Sequence, residues 1–111
     1  LTLVVFWASW CRPCRAEHPD FNRFYKSYKA NGLQIVSISL DKSKEAWMKA
    51  IAKDHLIWPQ LIDLKNFEGE LAKHYGIGPL PSNFLLDQDR KIIGIDLSVR
   101  EIEDLIGRLL P

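Results

Sequence analysis

Only two cysteines occur among the 111 residues, and they stand close together at Cys11 and Cys14. A small domain stapled by disulfides needs more cysteines at wider spacing, so a disulfide scaffold is excluded. A bridge between these two residues would close a loop too short to hold a fold together. The pair is therefore expected to serve chemistry.

Neither sign of charge dominates the chain, and no long apolar run is present. The 15 Lys and Arg residues nearly balance the 14 Asp and Glu residues, so the clustered basic excess of a nucleic-acid-binding domain is missing and no nucleic-acid partner is expected. No apolar stretch approaches the roughly 18 residues needed to span a bilayer, and nothing resembles a signal peptide. Because the chain begins at Leu1 inside an apolar run, we expect residues 1–111 to be one domain excised from a longer chain.

The apolar periodicity predicts an α/β protein with one mixed sheet of four core strands and helices on both faces. Asn31-Gly32 ends the first predicted helix, and Ser98 with Glu101 forms a capping box that opens the last, whose inner face carries Ile102, Leu105, Ile106 and Leu109. The predicted strands are 1–6, 33–40, 82–86 and 91–95, with a short extended piece at 61–62, and the other predicted helices are 41–55 and 67–75.

The sequence Trp10-Cys11-Arg12-Pro13-Cys14 follows the first predicted strand and opens the first helix. Disulfide exchange needs a thiolate, which the unpaired N–H groups and the positive dipole of a helix start stabilise. We therefore expect Cys11 to be the exposed nucleophile of low pKa. Cys14, one turn further along, would attack the mixed disulfide and release the product. Pro13 costs little in a first helical turn.

Other uses of two cysteines remain open at this point. They could form half of a zinc site with His18 as a third ligand, although no second Cys pair supplies the rest. Covalent haem attachment requires His after the second cysteine, and position 15 is Arg. Two unrelated buried cysteines are a further alternative. The three histidines do not cluster in the sequence, and we assign them no chemistry.

Residues 6–14 (FWASWCRPC) closely resemble the active-site segment of the thioredoxin superfamily, and most of all its bacterial TlpA/ResA-like branch. Residues 15–19 (RAEHP), 33–41 and 78–87 (GPLPSNFLLD) are similar to further segments of that branch. The resemblance implies a thioredoxin fold and a thiol–disulfide oxidoreductase. Its redox-active disulfide, Cys11–Cys14, would be the only redox group, without a metal or an organic cofactor.

The resemblance also assigns roles to residues outside the cysteine pair. It implies a cis peptide bond before Pro81, which would expose the backbone of Leu80 beside Cys11 for brief pairing with a substrate strand. It makes Glu17 a partly buried acid that exchanges a proton with the cysteines. Arg12 departs from the family pattern, since several relatives carry an acidic or apolar residue between the cysteines, and its positive charge should favour the Cys11 thiolate and make the disulfide more oxidising. The residues expected to contact substrate are Trp10, Arg12, Pro13, Leu80 and Pro81.

The expected partners are protein thiols and disulfides, such as apo-cytochrome c or other envelope proteins, together with an upstream redox partner. The resemblance implies a monomer working outside the cytoplasm, in the periplasm or cell envelope, and an N-terminal strand or hairpin that this chain lacks before Leu1. Two alternatives stay open: a cytosolic thioredoxin-like carrier, and a redox-sensing or binding module without turnover.

Overall fold

Five strands form one mixed sheet in this computed structural model, which describes residues 1–63, 73, 76 and 78–110. The strands are β1 (Thr2–Trp7), β2 (Gln34–Ser39), β3 (Gln60–Ile62), β4 (Ser82–Leu86) and β5 (Ile92–Ile95). The helices are α1 (Arg12–Tyr28), α2 (Lys44–Lys53) and α3 (Val99–Leu109), and a 3₁₀ turn at Lys29–Asn31 follows α1.

The sheet has the order β3-β2-β1-β4-β5, with β1 at its centre. The central strand pairs in parallel with β2 and antiparallel with β4, so Phe6 lies between Ile38 and Ser82. Because parallel neighbours need a crossover, α1 joins β1 to β2 and α2 joins β2 to β3. The α/β prediction is confirmed, and the predicted extended piece at 61–62 lies within the short strand β3 at the edge of the sheet.

Both faces of β1 are buried, which explains its continuous apolar sequence. Leu3, Val5 and Trp7 point into the main core cluster, whose other members include residues of α1, α2 and α3. Val4 and Phe6 face a smaller cluster on the opposite side, with Phe84 among its members. The described helices thus contribute to the core on one face, and the helix predicted at 67–75 falls, apart from residue 73, outside the described residues.

The helices follow their local sequence signals, with one exception. Helix α1 runs for 17 residues through Pro19, and both hydrogen bonds of the Ser98–Glu101 capping box are present. The prediction that Leu109 lies inside was wrong, because its side chain is 48% exposed. Leu109 is the last residue of α3, and the next residue, Leu110, packs against the main cluster instead. Within the described part of the chain, no helix is long and apolar enough to cross a membrane.

Candidate active site

The two cysteines lie where β1 gives way to α1. Cys11 is the N-cap residue of α1, with extended backbone angles, and the Cys14 N–H donates to Cys11 Sγ at 3.3 Å. The Cys11 N–H in turn donates to the Ala8 carbonyl at 3.1 Å. An N-cap side chain normally accepts this kind of bond through oxygen. Here sulfur takes that position, so an anion on Cys11 would be held by a backbone N–H and by the helix dipole.

Cys11 and Cys14 are joined by a disulfide, with Cα atoms 5.3 Å apart. Cys11 is 5% exposed and Cys14 is 1% exposed. The prediction of an exposed Cys11 was therefore wrong for the oxidised form. Both side chains belong to the main core cluster, together with Trp7 and Ala8 from the end of β1. In contrast, the side chain of the neighbouring Trp10 is 61% exposed to solvent.

The loop before Cys11 is fixed by Asp41, the acidic residue that follows β2. Both carboxylate oxygens accept the Ser9 N–H, at 3.1 and 3.0 Å, and Oδ1 also accepts the Ser9 hydroxyl at 2.7 Å. Ser39 donates its hydroxyl to Asp41 Oδ2 at 2.6 Å. Asp41 is only 1% exposed, and these bonds compensate the burial of its carboxylate. On the other side, Arg15 Nη1 donates to the Ser9 carbonyl at 3.3 Å. Ser9 is thus held from both sides, which pre-organises the approach to the disulfide.

Glu17 lies one turn after Cys14 on α1 and is half-buried. Burial raises the pKa of its carboxyl, and the nearby Asp20 carboxylate raises it further. A carboxyl shifted in this direction is suited to proton exchange nearer neutral pH. The structure thus gives Glu17 the partly buried setting that the resemblance implied.

The remaining predicted site residues differ in exposure. Arg12 and Pro13 are exposed at the start of α1, whereas Leu80 and Pro81 are half-buried. Leu80 packs against the main cluster that contains both cysteines and also against the smaller one. The Leu80–Pro81 peptide bond is cis, as the resemblance implied.

One cluster beside the site was missed by sequence reasoning. Asp54, the C-cap residue of α2, accepts two bonds from Arg15, from Nε at 3.0 Å and from Nη2 at 2.8 Å. Asp54 Oδ2 also lies 2.7 Å from His18 Nδ1. We call these three residues the Arg15–Asp54–His18 cluster. No sequence signal locates it, because Asp54 is 39 residues from Arg15 and the only local clue is the spacing of Arg15 and His18 along one face of α1.

The charges in this cluster follow from its burial. Burial lowers the pKa of His18 and outweighs the opposing effect of the Asp54 carboxylate, so His18 is neutral at pH 7 and donates through Nδ1–H. Burial alone would raise the pKa of Asp54, but the hydrogen bonds from Arg15 and His18 leave it below its ordinary value. The cluster is therefore an Arg⁺–Asp⁻ pair with a neutral, 1% exposed histidine. His18 Nε2 has no hydrogen-bond partner within the described residues.

The zinc alternative can be compared with the positions of the His, Cys, Asp and Glu side chains. Across residues 1–63, 73, 76 and 78–110, no three or more His, Cys, Asp or Glu side chains are grouped so that they could hold a metal ion. His18 uses Nδ1 on Asp54, and the two sulfurs are bonded to each other. The structure shows a disulfide at the N-terminus of α1, with the Glu17 carboxyl, whose pKa is raised, one turn away. Such a site can accept a thiolate and release one.

Comparison with known proteins gives the same chemistry. Residues 2–105 match the family model described as Redoxin. The chain is 39% identical over 109 residues to the thiol-disulfide oxidoreductase ResA of Bacillus thuringiensis, a match that covers 96% of this chain and 61% of the relative. It is 33% identical to the sporulation thiol-disulfide oxidoreductase A of Bacillus subtilis, over 82% of this chain and 55% of that protein. The chain thus spans about three fifths of the length of these curated relatives.

A solved structure supports the same placement. The thiol-disulfide oxidoreductase from Bacteroides fragilis superposes with a TM-score of 0.91 and 39% identity, covering 98% of this chain and 80% of that one. In this chain the same fold carries the disulfide at the start of α1 and the cis bond before Pro81. The chain is a member of the Redoxin family and, within it, of the ResA-like branch of thiol–disulfide oxidoreductases.

Proposed function

We propose that this domain catalyses thiol–disulfide exchange with protein substrates through Cys11 and Cys14. The observation that carries the proposal is the disulfide at the N-cap of α1, where Cys11 Sγ already accepts the Cys14 N–H. The same donor and the helix dipole stabilise a Cys11 thiolate when the disulfide opens. The proposed chemistry uses the two sulfurs as its redox group, without a metal or an organic cofactor.

The exchange proceeds in two balanced steps. In the reduced protein, the Cys11 thiolate attacks a substrate disulfide, forms a mixed disulfide and displaces one substrate thiolate, which takes up a proton. The Cys14 thiol then loses its proton and attacks Cys11 Sγ. This restores the Cys11–Cys14 disulfide and releases the second substrate sulfur as a thiolate, which takes up a proton from solvent. Two electrons pass to the substrate, and a dithiol partner must return them by the reverse sequence.

Glu17 is proposed as the proton acceptor for Cys14 in the second step. It lies one turn from Cys14 on the same helix, and burial raises the pKa of its carboxyl. A base of raised pKa takes up a proton nearer neutral pH than an ordinary carboxylate does. Glu17 then returns this proton when the disulfide is reduced.

The substrate is proposed to lie across the surface formed by Trp10 and Pro13 on one side and the Leu80–Pro81 loop on the other, with Arg12 between the cysteines. An extended substrate segment would pair with the backbone of Leu80, in the manner of strand addition. Leu80 supports this role because it packs on the cluster that contains Cys11.

The family resemblance supports a wider setting for this chemistry. We propose that the domain acts as a monomer outside the cytoplasm, in the periplasm or cell envelope. Apo-cytochrome c and other envelope proteins with cysteine pairs are the proposed substrates, and a separate dithiol protein is the proposed reductant.

Trapping with Cys14→Ser tests the proposal. This variant forms the mixed disulfide at Cys11 but cannot resolve it, so substrates stay attached and are released by dithiothreitol. Cys11→Ser is the matched control and should trap no substrate disulfide. Wild-type protein should also catalyse insulin reduction by dithiothreitol. A wild-type protein that forms its disulfide but gives no insulin turnover would instead favour a redox-sensing or binding module.

A further inference from the structure

Trp10 is exposed beside a buried redox centre. Its side chain is 61% exposed, whereas the adjacent Cys11 is 5% exposed. Among the Phe, Trp and Tyr residues that the structure describes, only Trp10 has an exposed side chain. Large aromatic side chains are enriched where proteins contact partners, because they bury much apolar area with few rotatable bonds. Trp10 therefore marks the surface on which a partner rests.

Two surface depressions flank Trp10, and both are lined by basic residues. The first, of about 410 Å³, is lined by Arg12, Arg15 and Lys53. The second, of about 460 Å³, includes Lys42 in its lining. Ser9 and Trp10 line both depressions, so they form one continuous surface.

Within the described residues, the acidic groups in or beside these depressions, Asp41 and Asp54, are already engaged. Asp41 is 1% exposed, and its oxygens accept bonds from Ser9 and Ser39. Asp54 is paired with Arg15 and His18, so the Arg15 charge is compensated.

Three cations at this surface remain uncompensated. Arg12, Lys42 and Lys53 are exposed, and none of them forms an ion pair within the described part of the chain. The whole protein has a net charge of only +1. Within the described residues, the approach to Cys11 thus carries three cations without an ion pair, although the chain as a whole is nearly neutral. We call Trp10, Arg12, Lys42 and Lys53 the Trp10 surface.

We infer that the Trp10 surface selects protein substrates whose reacting cysteines are flanked by acidic side chains. This inference rests on the proposed function and names the class of substrate for that site. Acidic side chains on either side of a substrate cysteine would meet Arg12 and Lys53 in one depression and Lys42 in the other, while an apolar neighbour packs on Trp10. Opposite charges steer the encounter and fix its register, and like charges oppose it.

The expected preference is modest, because these pairs are exposed. A single exposed ion pair is worth about 1.4- to 5-fold in an equilibrium or rate, so two pairs give about 2- to 25-fold. Screening should remove most of this effect at high salt, because the Debye length falls from about 30 Å at 0.01 M to about 3 Å at 1 M.

Three synthetic peptides test the inference. Each carries one intramolecular disulfide, and they differ only in the residues beside the cysteines, which are Glu, Lys or Gln. The second-order rate of peptide reduction by the reduced protein is measured at about 0.01 M and about 1 M salt. We expect the Glu peptide to react about tenfold faster than the Lys peptide at low salt, within the range for two exposed pairs, and nearly equally at high salt.

Two double variants with the same change in charge locate the effect. Lys42→Gln with Lys53→Gln should bring the Glu-to-Lys rate ratio close to the value that Arg12 alone sustains, about 1.4- to 5-fold. Lys26→Gln with Lys91→Gln should leave the ratio unchanged. Lys26 and Lys91 are exposed, at the far end of α1 and beside the β4–β5 turn.

The outcomes separate the inference from the proposed function. The inference is overturned if the wild-type Glu-to-Lys rate ratio is near one or favours the Lys peptide. It is also overturned if the Lys42→Gln, Lys53→Gln variant keeps the full wild-type ratio. In each of these cases, reduction of the Gln peptide still supports the proposed function. If no peptide is reduced, including the Gln peptide, the proposed function fails and the inference fails with it.

Discussion

Asp54, at the end of α2, binds Arg15 and His18 on the helix that carries the redox pair. Asp54→Asn should show how much these contacts contribute to the free energy of unfolding. The substitution keeps the shape of the side chain but removes its charge. It leaves Arg15 without the carboxylate to which it donates two hydrogen bonds in the native structure. It also places an amide opposite His18 Nδ1, which needs an acceptor. The variant therefore breaks the cluster without opening a cavity.

The magnitude follows from the burial of the three side chains. Arg15 is 28% exposed, Asp54 14% and His18 1%. Breaking a fully buried pair costs about 3–5 kcal/mol, whereas an exposed pair contributes about 0–1 kcal/mol. This cluster lies between those limits, so we expect the free energy of unfolding to fall by about 2–4 kcal/mol. At about 4 °C per kcal/mol for a domain of this size, the Tm should fall by about 8–16 °C.

The assay is thermal and urea unfolding of the oxidised protein at pH 7, followed by circular dichroism. Asp104→Asn is the matched control, because Asp104 pairs with Arg108 on exposed α3, where their side chains are 70% and 74% exposed. The control should lose less than about 0.5 kcal/mol. If Asp54→Asn stays within about 0.5 kcal/mol of this control, the cluster does not stabilise the fold and the burial argument is refuted.

Three further predictions follow from burial and pKa. Because burial lowers the pKa of His18 in the folded protein, its contribution to stability is complete above about pH 6.5 and falls as the pH drops through the folded pKa. His18→Phe should flatten the pH dependence of urea stability below about pH 6.5, and an unchanged slope there would contradict a neutral buried histidine. The pKa of Glu17 is raised, so its contribution is complete below the unfolded value of about 4.3 and is lost as the pH rises through the folded pKa. Glu17→Gln should therefore stabilise the protein slightly at pH 7 and flatten the pH dependence of Cys14 alkylation in the reduced form; an unchanged alkylation profile would remove its proton role. Ile106→Ala should cost about 2–5 kcal/mol in urea unfolding because Ile106 is fully buried, while Leu109→Ala should cost less than about 1 kcal/mol, and equal losses would contradict the exposure of Leu109.

Local signals in the sequence were sufficient for most of the described secondary structure and for the placement of the cysteine pair at the start of α1. The buried strand β1, the helix that opens at the cysteine pair and the Ser98–Glu101 capping box all depend on residues within a few positions of one another. The resemblance added the cis bond before Pro81, which the structure contains. The roles given to Glu17, Trp10, Arg12, Pro13 and Leu80 in catalysis and substrate contact stay predictions.

The Cys11–Cys14 pair illustrates where local reasoning ends. Local features of the sequence place the pair between a buried strand and a helix, because the apolar run, the two cysteines and the helical periodicity follow one another along the chain. Tertiary packing buries Cys11 in the oxidised protein and brings Asp41 to Ser9, 32 residues away in the chain, opposite the hydrogen bond that Arg15 donates to the Ser9 carbonyl. No periodicity encodes which distant side chain meets which, since that depends on how the helices pack on the sheet.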